Sequence, residues 1–316
     1  MNSKLLLNLI LLAAVAALGL VAFLEPGKEE EKTVYLTELD SDGIERFELR
    51  NTETLVFAKQ DGHWRLTAPF AAPANDIRVR QLLNIAKSES HARYPLKPEE
   101  LPKFGLDQPK AVLTIGQTRL AFGGAEPIDM MRYVQVGDTL HLVADDFSQH
   151  LNAKATDYVD KQLLPEDGKL KAISLPGLKA TLGDKSQWTL EPPGDASAVD
   201  ELANAWQAAR AIEVHRHEQP APGEAIHLAL ANGQTVDFTI LQREPDLLLL
   251  RPDWKLEYLV VGEAGKRLLS LQATTPDGDG AQAGDEEDAE APLEKTPEEM
   301  MELEPGEDVD GEREAD

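Results

Sequence analysis

His215 and His217, in "AIEVHRHE" (211–218), are the only close pair of histidines in the chain. On a strand, positions i and i+2 share a face, so two neutral imidazoles there could take up Zn²⁺ or Cu²⁺. Spacing specifies no third ligand, and Glu213, Arg216 and Glu218 around the pair read as a solvated strand face. Ser148-x-His150 sets a hydroxyl near an imidazole without the Gly-x-Ser-x-Gly elbow that would aim it. "FGGAEP" at 122–127 carries two glycines but neither the Lys-Ser/Thr of a P-loop nor Rossmann spacing. His63, His91, His141, His150 and His227 are scattered, and no spacing singles out one acid–base pair among the many carboxylates. The chain has no cysteine, which removes thiolate chemistry and disulfides. The expectation is therefore a protein that is not an enzyme, with no catalytic residue, no cofactor, no metal and no nucleotide.

What is repeated is architecture. "WRLTAP" at Trp64 and "WTLEPP" at Trp188 share Trp-x-Leu-x-x-Pro, and each follows short alternating segments of the kind that form half-buried strands. A helix pattern follows each. In "NDIRVRQLLNIAKSES" the apolar face is Ile77, Leu82, Leu83 and Ile85, with Asn75 or Asp76 as N-cap. In "DASAVDELANAWQAAR" it is Val199, Leu202, Ala203, Trp206 and Ala209, with Asp195 as cap. Further on, Gly-Gln-Thr recurs at 116–118 and 233–235, and "TLHLV" (139–143) falls on "LEYLV" (256–260) at the same offset. The offset shortens between helix and hairpin, which places an insertion in the first unit around "KPEELPKFGLDQP". Each unit reads β-β-β-α-β-β-β-β-α, an α+β fold of two related antiparallel-sheet-plus-helix units by internal duplication. Trp64 with Pro69, and Trp188 with Pro193, are expected as structural anchors, since a large aromatic buries much apolar area.

The ends differ in kind. Leu5–Leu24, "LLLNLILLAAVAALGLVAFL", holds one polar side chain, Asn8, and as a helix would reach about 30 Å, a bilayer core. It is longer than the roughly 7–15-residue apolar region of a cleaved signal peptide, and it ends in Val21-Ala22-Phe23-Leu24, a poor cleavage site. It reads as a transmembrane signal anchor after a short cytoplasmic leader (1–4), followed by a linker (25–32). Asn8 and Gly19 are the candidate helix–helix contacts in the membrane. Unit one then spans 33–165 and unit two 168–271. From Pro276 onward there are 18 Asp or Glu against Lys295 and Arg313, out of a formal charge of −26 for the chain. The stretch 272–316 reads as a disordered acidic tail. With no basic stripe to meet phosphates, nucleic acid is not an expected partner.

The anchor, "HWRLTAP" with its helix, "FGLDQP" (104–109) leading into a hairpin, "YVQVGDTLHLV" and "YVDKQLLP" (158–165) together resemble the membrane-anchored proteins containing domain of unknown function 4340. The resemblance is good over 33–165 and weaker over unit two, which lacks the Gly-Leu-Asp-x-Pro element. It implies an envelope protein associated with gliding-motility-type ABC transport systems, and it carries over no catalytic residues. In "FGLDQP" itself, Gly105 permits positive φ, Asp107 can bond its own backbone, and Pro109 holds Gln108 extended. Phe104, Gly105, Leu106, Asp107, Gln108 and Pro109 are the candidate partner-contact loop. The expected function is a non-catalytic accessory or scaffold subunit of an envelope complex such as an ABC-type transporter. It would sit in a bacterial inner membrane by a single pass, N-terminus cytoplasmic and body periplasmic. The alternative is a periplasmic module binding a small glycan or lipid fragment between the two units.

Overall fold

The computed structural model describes residues 3–24, 33–41, 43–184, 186–218 and 222–271. The chain divides at Thr274/Thr275, and the second part, with the expected acidic tail, lies outside the described residues, as does the 25–32 linker. Helix α1 (Ser3–Leu24) covers the apolar run. Its described side chains, Leu6, Leu7 and those of residues 9–20, are all exposed. Among the described residues no helix is long and apolar enough to cross a membrane, so the expected span is not shown. The side chains of Leu5, Asn8 and Val21–Leu24 are outside that description. Gly19 has open space where a side chain would stand.

The body is mostly β. The first half contains β1 (Arg46–Arg50), β2 (Thr54–Gln60), β3 (His63–Ala68), β4 (Ala72–Pro73), α2 (Asp76–Asn84), β5 (Ala92–Pro95), β6 (Ala111–Ile115), β7 (Thr118–Ala125), β8 (Arg132–Val136), β9 (Thr139–Val143) and α3 (Ser148–Leu151). Its strands form one antiparallel sheet in the order β4-β3-β2-β1-β6-β7-β8-β9-β5. The second half contains β10 (Leu170–Leu175), β11 (Leu178–Leu182), β12 (Trp188–Glu191), α4 (Ala198–Ala208), β13 (Glu213–Arg216), β14 (Glu224–Leu230), β15 (Thr235–Gln242), β16 (Leu247–Arg251), β17 (Leu256–Val260) and α5 (Gly262–Arg267). Its order is β12-β11-β10-β14-β15-β16-β17-β13. Apart from β4, the two sheets follow one strand order. Each unit places five strands after its helix where the sequence pattern gives four: the edge strands β5 and β13 add the fifth.

Alternation decides the faces, since successive strand residues point to opposite sides. In β15, Val236, Phe238 and Ile240 enter the core while Thr235 and Asp237 stay exposed. Each sheet packs its helix on one face: Val79, Leu82 and Leu83 of α2 in the first core, Val199, Leu202, Ala203 and Trp206 of α4 in the second. Ile77, expected inward, is 64% exposed, and Val79 takes the place one turn requires. Asn75 caps α2 as expected, its Oδ1 accepting from Arg78 N at 3.0 Å. Asp195 does not cap α4: its Oδ1 accepts from Ser197 N and Oγ, and Ser197 occupies the N-cap position.

Trp64 is the second residue of β3 and Trp188 the first of β12. Trp64 is in the core, edge-on to Phe47 at 5.2 Å. Trp188 is only partly buried and donates its indole N–H to Asp200 at 2.8 Å. The peptides Ala68-Pro69 and Glu191-Pro192 near them are cis. The halves meet at Phe70, which packs against both cores and lies 5.6 Å beneath the Arg216 guanidinium.

Candidate functional site

The expected contact loop is a cover for the outer face of the first sheet. A 3-10 turn, Pro98–Phe104, fills the place of the insertion and has no counterpart among the described residues between β13 and β14. Gly105 ends it at φ 65°, and Leu106 N returns to Leu101 O at 2.9 Å. Leu106 is then buried with Leu96, Val112, Ala121 and Leu140, and Phe104 packs on Tyr133 with ring centroids 4.9 Å apart. The same packing accounts for "FGGAEP": a Cβ on Gly123 would run into Phe104 O and crowd Leu106 at 3.1 Å. The two glycine-bearing motifs of the sequence therefore fit each other. Of the six loop residues only Asp107 and Gln108 are exposed.

A cleft lies at the other side of this sheet's edge. Val34–Thr37 runs antiparallel to Ala86–Ser90, through Ser90 N to Val34 O at 2.7 Å, Leu36 N to Ser88 O at 2.9 Å and Thr37 N to Ala86 O at 3.0 Å. This strap and the edge pair β5/β9 enclose about 590 Å³, lined by Thr33–Glu38, Arg93 and His141. His141 is buried on β9, opposite Arg93 in the ladder, and its Nδ1 lies 2.8 Å from Ser90 Oγ. Burial, then the Arg93 charge, lowers the pKa of His141, so the imidazole is neutral at pH 7. A smaller cavity of about 290 Å³ is lined by Lys59, Trp64, Asp76, Arg80 and their neighbours. Both cavities are lined by the first unit alone, so neither is the between-unit pocket of the ligand-binding alternative.

A family profile described as "Domain of unknown function (DUF4340)" matches residues 64–238. The chain belongs to this family. The match runs from Trp64 through both tryptophan units into β15, further into the second half than the sequence motifs alone carry it. No curated protein and no solved structure matches the chain. Within the DUF4340 stretch lie the covering loop, Gly123, Ser90, Arg93 and His141. The strap 33–38 lies before it, so the cleft is walled partly by DUF4340 residues and partly by the segment leading into them.

Sequence spacing does not bring the other candidates together. His215 Nε2 lies 3.0 Å from Glu213 Oε2, and His217 Nδ1 2.6 Å from Glu257 Oε1, so each imidazole has its own carboxylate. Among the described residues no group of three or more His, Cys, Asp or Glu could hold a metal. Ser148 donates to Asp145 Oδ1 at 2.6 Å and accepts from Arg132 at 3.0 Å, which ties α3 to β8 and leaves His150 out. Sequence reasoning missed Ser90–His141, which stand 51 positions apart. The available signal was a histidine among apolar residues in "TLHLV". The Ser90–His141 pair does not form a nucleophile with an oxyanion hole. The backbone N–H of Ser90 is committed to Val34 O and that of His91 to Leu142 O.

Proposed function

We propose that this DUF4340 protein is a membrane-tethered, non-catalytic accessory subunit of a bacterial envelope complex of the ABC-transporter type. The observation that carries the reading is α1, where every described side chain is exposed. Leu7 at 63%, Leu12 at 73% and Leu18 at 70% are left exposed by the described residues. A helix apolar on all sides must be covered, and lipid or other membrane helices are the cover that fits a 20-residue run without a charge. The orientation proposed is N-terminus cytoplasmic with the body periplasmic. Tethering raises the body's effective concentration at the membrane surface, where Asp107 and Gln108 offer a polar contact on a rigid support. The same-order sheets support an origin by internal duplication, giving two scaffold units on one anchor.

The test is one preparation with two readouts. Membranes carrying the full chain are washed in alkaline carbonate, then solubilised in mild detergent for pull-down and mass spectrometry. Retention in the washed membrane and recovery of integral permease and ATPase subunits, reduced by Asp107→Arg with Gln108→Arg, is the expected result. Release by carbonate refutes the tether, and recovery of the chain alone refutes the accessory role.

A further inference from the structure

The cleft beneath the strap has a lining that selects a ligand class. One cation, Arg93, and one anion, Glu38, share it, and both are exposed. Neither is in an ion pair among the described residues. Their charges cancel, so an anionic ligand meets Glu38 and a cationic one meets Arg93. The floor is His141, kept neutral by burial; the Ser90 hydroxyl donates to Ala92 O at 3.1 Å and so accepts from His141 Nδ1–H, which leaves Nε2 as an acceptor. Tyr35 stands on the wall at 53% exposure, an aromatic face without a stacking partner among the described residues. Thr33 adds a hydroxyl and Val34 apolar surface, while the Thr37 hydroxyl donates to Ala86 O at 2.8 Å and Leu36 is buried in the first core.

We infer that this cleft, formed by Tyr35 and Glu38 of the strap with Arg93 and His141 of the sheet edge, is a binding site for a neutral saccharide. Sugar hydroxyls both donate and accept, so Glu38 takes their protons and Arg93 gives its own. The apolar face of a pyranose ring lies on Tyr35. The volume of about 590 Å³ is within the roughly 300–1,000 Å³ of small-molecule sites. The strap makes the site conditional on its own docking: backbone bonds to 86–90 hold Tyr35 and Glu38 in place, and the strap is the first described segment after α1. This inference goes beyond the accessory role and stands or falls separately from it.

The experiment is saturation-transfer difference NMR on the full chain in phosphatidylcholine nanodiscs, which avoid sugar-headed detergents. The probes are di-N-acetylchitobiose and maltose, with diglycine as the zwitterionic comparison. The expected result is transfer to at least one saccharide and none to diglycine. Tyr35→Ala and Arg93→Ala should weaken it about ten- to a hundredfold with unchanged melting, because both side chains are exposed. No transfer to either saccharide, transfer to diglycine instead, or transfer undiminished in both variants overturns the assignment.

Discussion

Tyr158 and Tyr258 are both fully buried, and the same substitution should move stability in opposite directions at the two positions. The Tyr158 hydroxyl donates to His150 O, whereas that of Tyr258 has no hydrogen-bond partner among the described residues. Burial raises both phenol pKa values, so each hydroxyl keeps its proton and its need for an acceptor. Near Tyr258 stands the buried guanidinium of Arg251, stacked 3.5 Å from the Trp254 ring centroid and 3.3 Å from Asp253 Oδ1 through Nε. A guanidinium only donates, so it cannot serve a phenol O–H as acceptor. Leaving a buried donor unpaired costs about 1–3 kcal/mol. Tyr258→Phe removes that cost with almost no change in volume and should stabilise by about 1–2 kcal/mol. Tyr158→Phe loses a made bond and orphans a carbonyl, and should destabilise by about 1–2 kcal/mol. For a body of this size each kcal/mol is about 2–4 °C in Tm. Thermal unfolding of the full chain followed by near-ultraviolet circular dichroism reads both. A Tyr258→Phe protein melting several degrees below the parent would refute the reasoning and mean that an ordered water bridges the hydroxyl to its surroundings.

Leu106→Ala should cost about 2–3 kcal/mol by emptying the core on the outer sheet face, with new proteolytic cuts within 98–109; equal melting and no cuts would mean the loop is not a cover. Gly123→Ala should give the same cuts, because its Cβ would displace Phe104 and Leu106 together. Stability should fall as pH drops below 6.5. Burial first, with Arg93 and Arg78 respectively, depresses His141 and His150, so their contribution is present above 6.5 and lost as pH falls through their folded values. His141→Gln should flatten that slope in melting scans between neutral and acid pH. His63 has the opposite sign, raised chiefly by its hydrogen bond to Asp76, with stabilisation present below 6.5 and lost as pH rises through its folded value. Its side chain is 73% exposed and the effect is screened.

Much of the fold was legible because it is written at period two and period 3.6. The hairpin strands, both helices and the insertion follow from patterns that depend on near neighbours. The edge strands were harder: "ARYP" at 92–95 is short, has a proline and shows no buried residue, so nothing in it alternates. The cleft was illegible for another reason. Tyr35, Ser90, Arg93 and His141 come from three separate segments, and only the ladder that places β5 beside β9 brings them together. "FGLDQP" was readable as a turn, while its burial was not, because the partner glycines lie across the sheet.

The two sheets also show how far a sequence match can be read as a structural one. Strands β7 and β15 stand 117 positions apart at both ends, and so do β9 and β17. For β9 and β17 that offset preserves the faces: Val143 and Val260 both enter their cores, and the buried His141 falls on the buried Tyr258. For β7 and β15 it does not. Leu120 and Phe122 face inward, but 117 positions later stand the exposed Asp237 and the half-buried Thr239, while the core residues are Val236 and Phe238. A one-residue slip inverts every side chain of a strand. The cross-strand pairs set the better equivalence, Leu113 with Leu120 in one hairpin and Leu228 with Val236 in the other. The Gly-Gln-Thr match therefore aligns turns whose strands are out of phase, and the hairpin of the second unit carries one more residue in its turn. The equivalence of His141 and Tyr258 survives this test. Each sheet keeps a buried polar ring beside its last edge strand, satisfied by Ser90 in the first unit and without a partner among the described residues in the second.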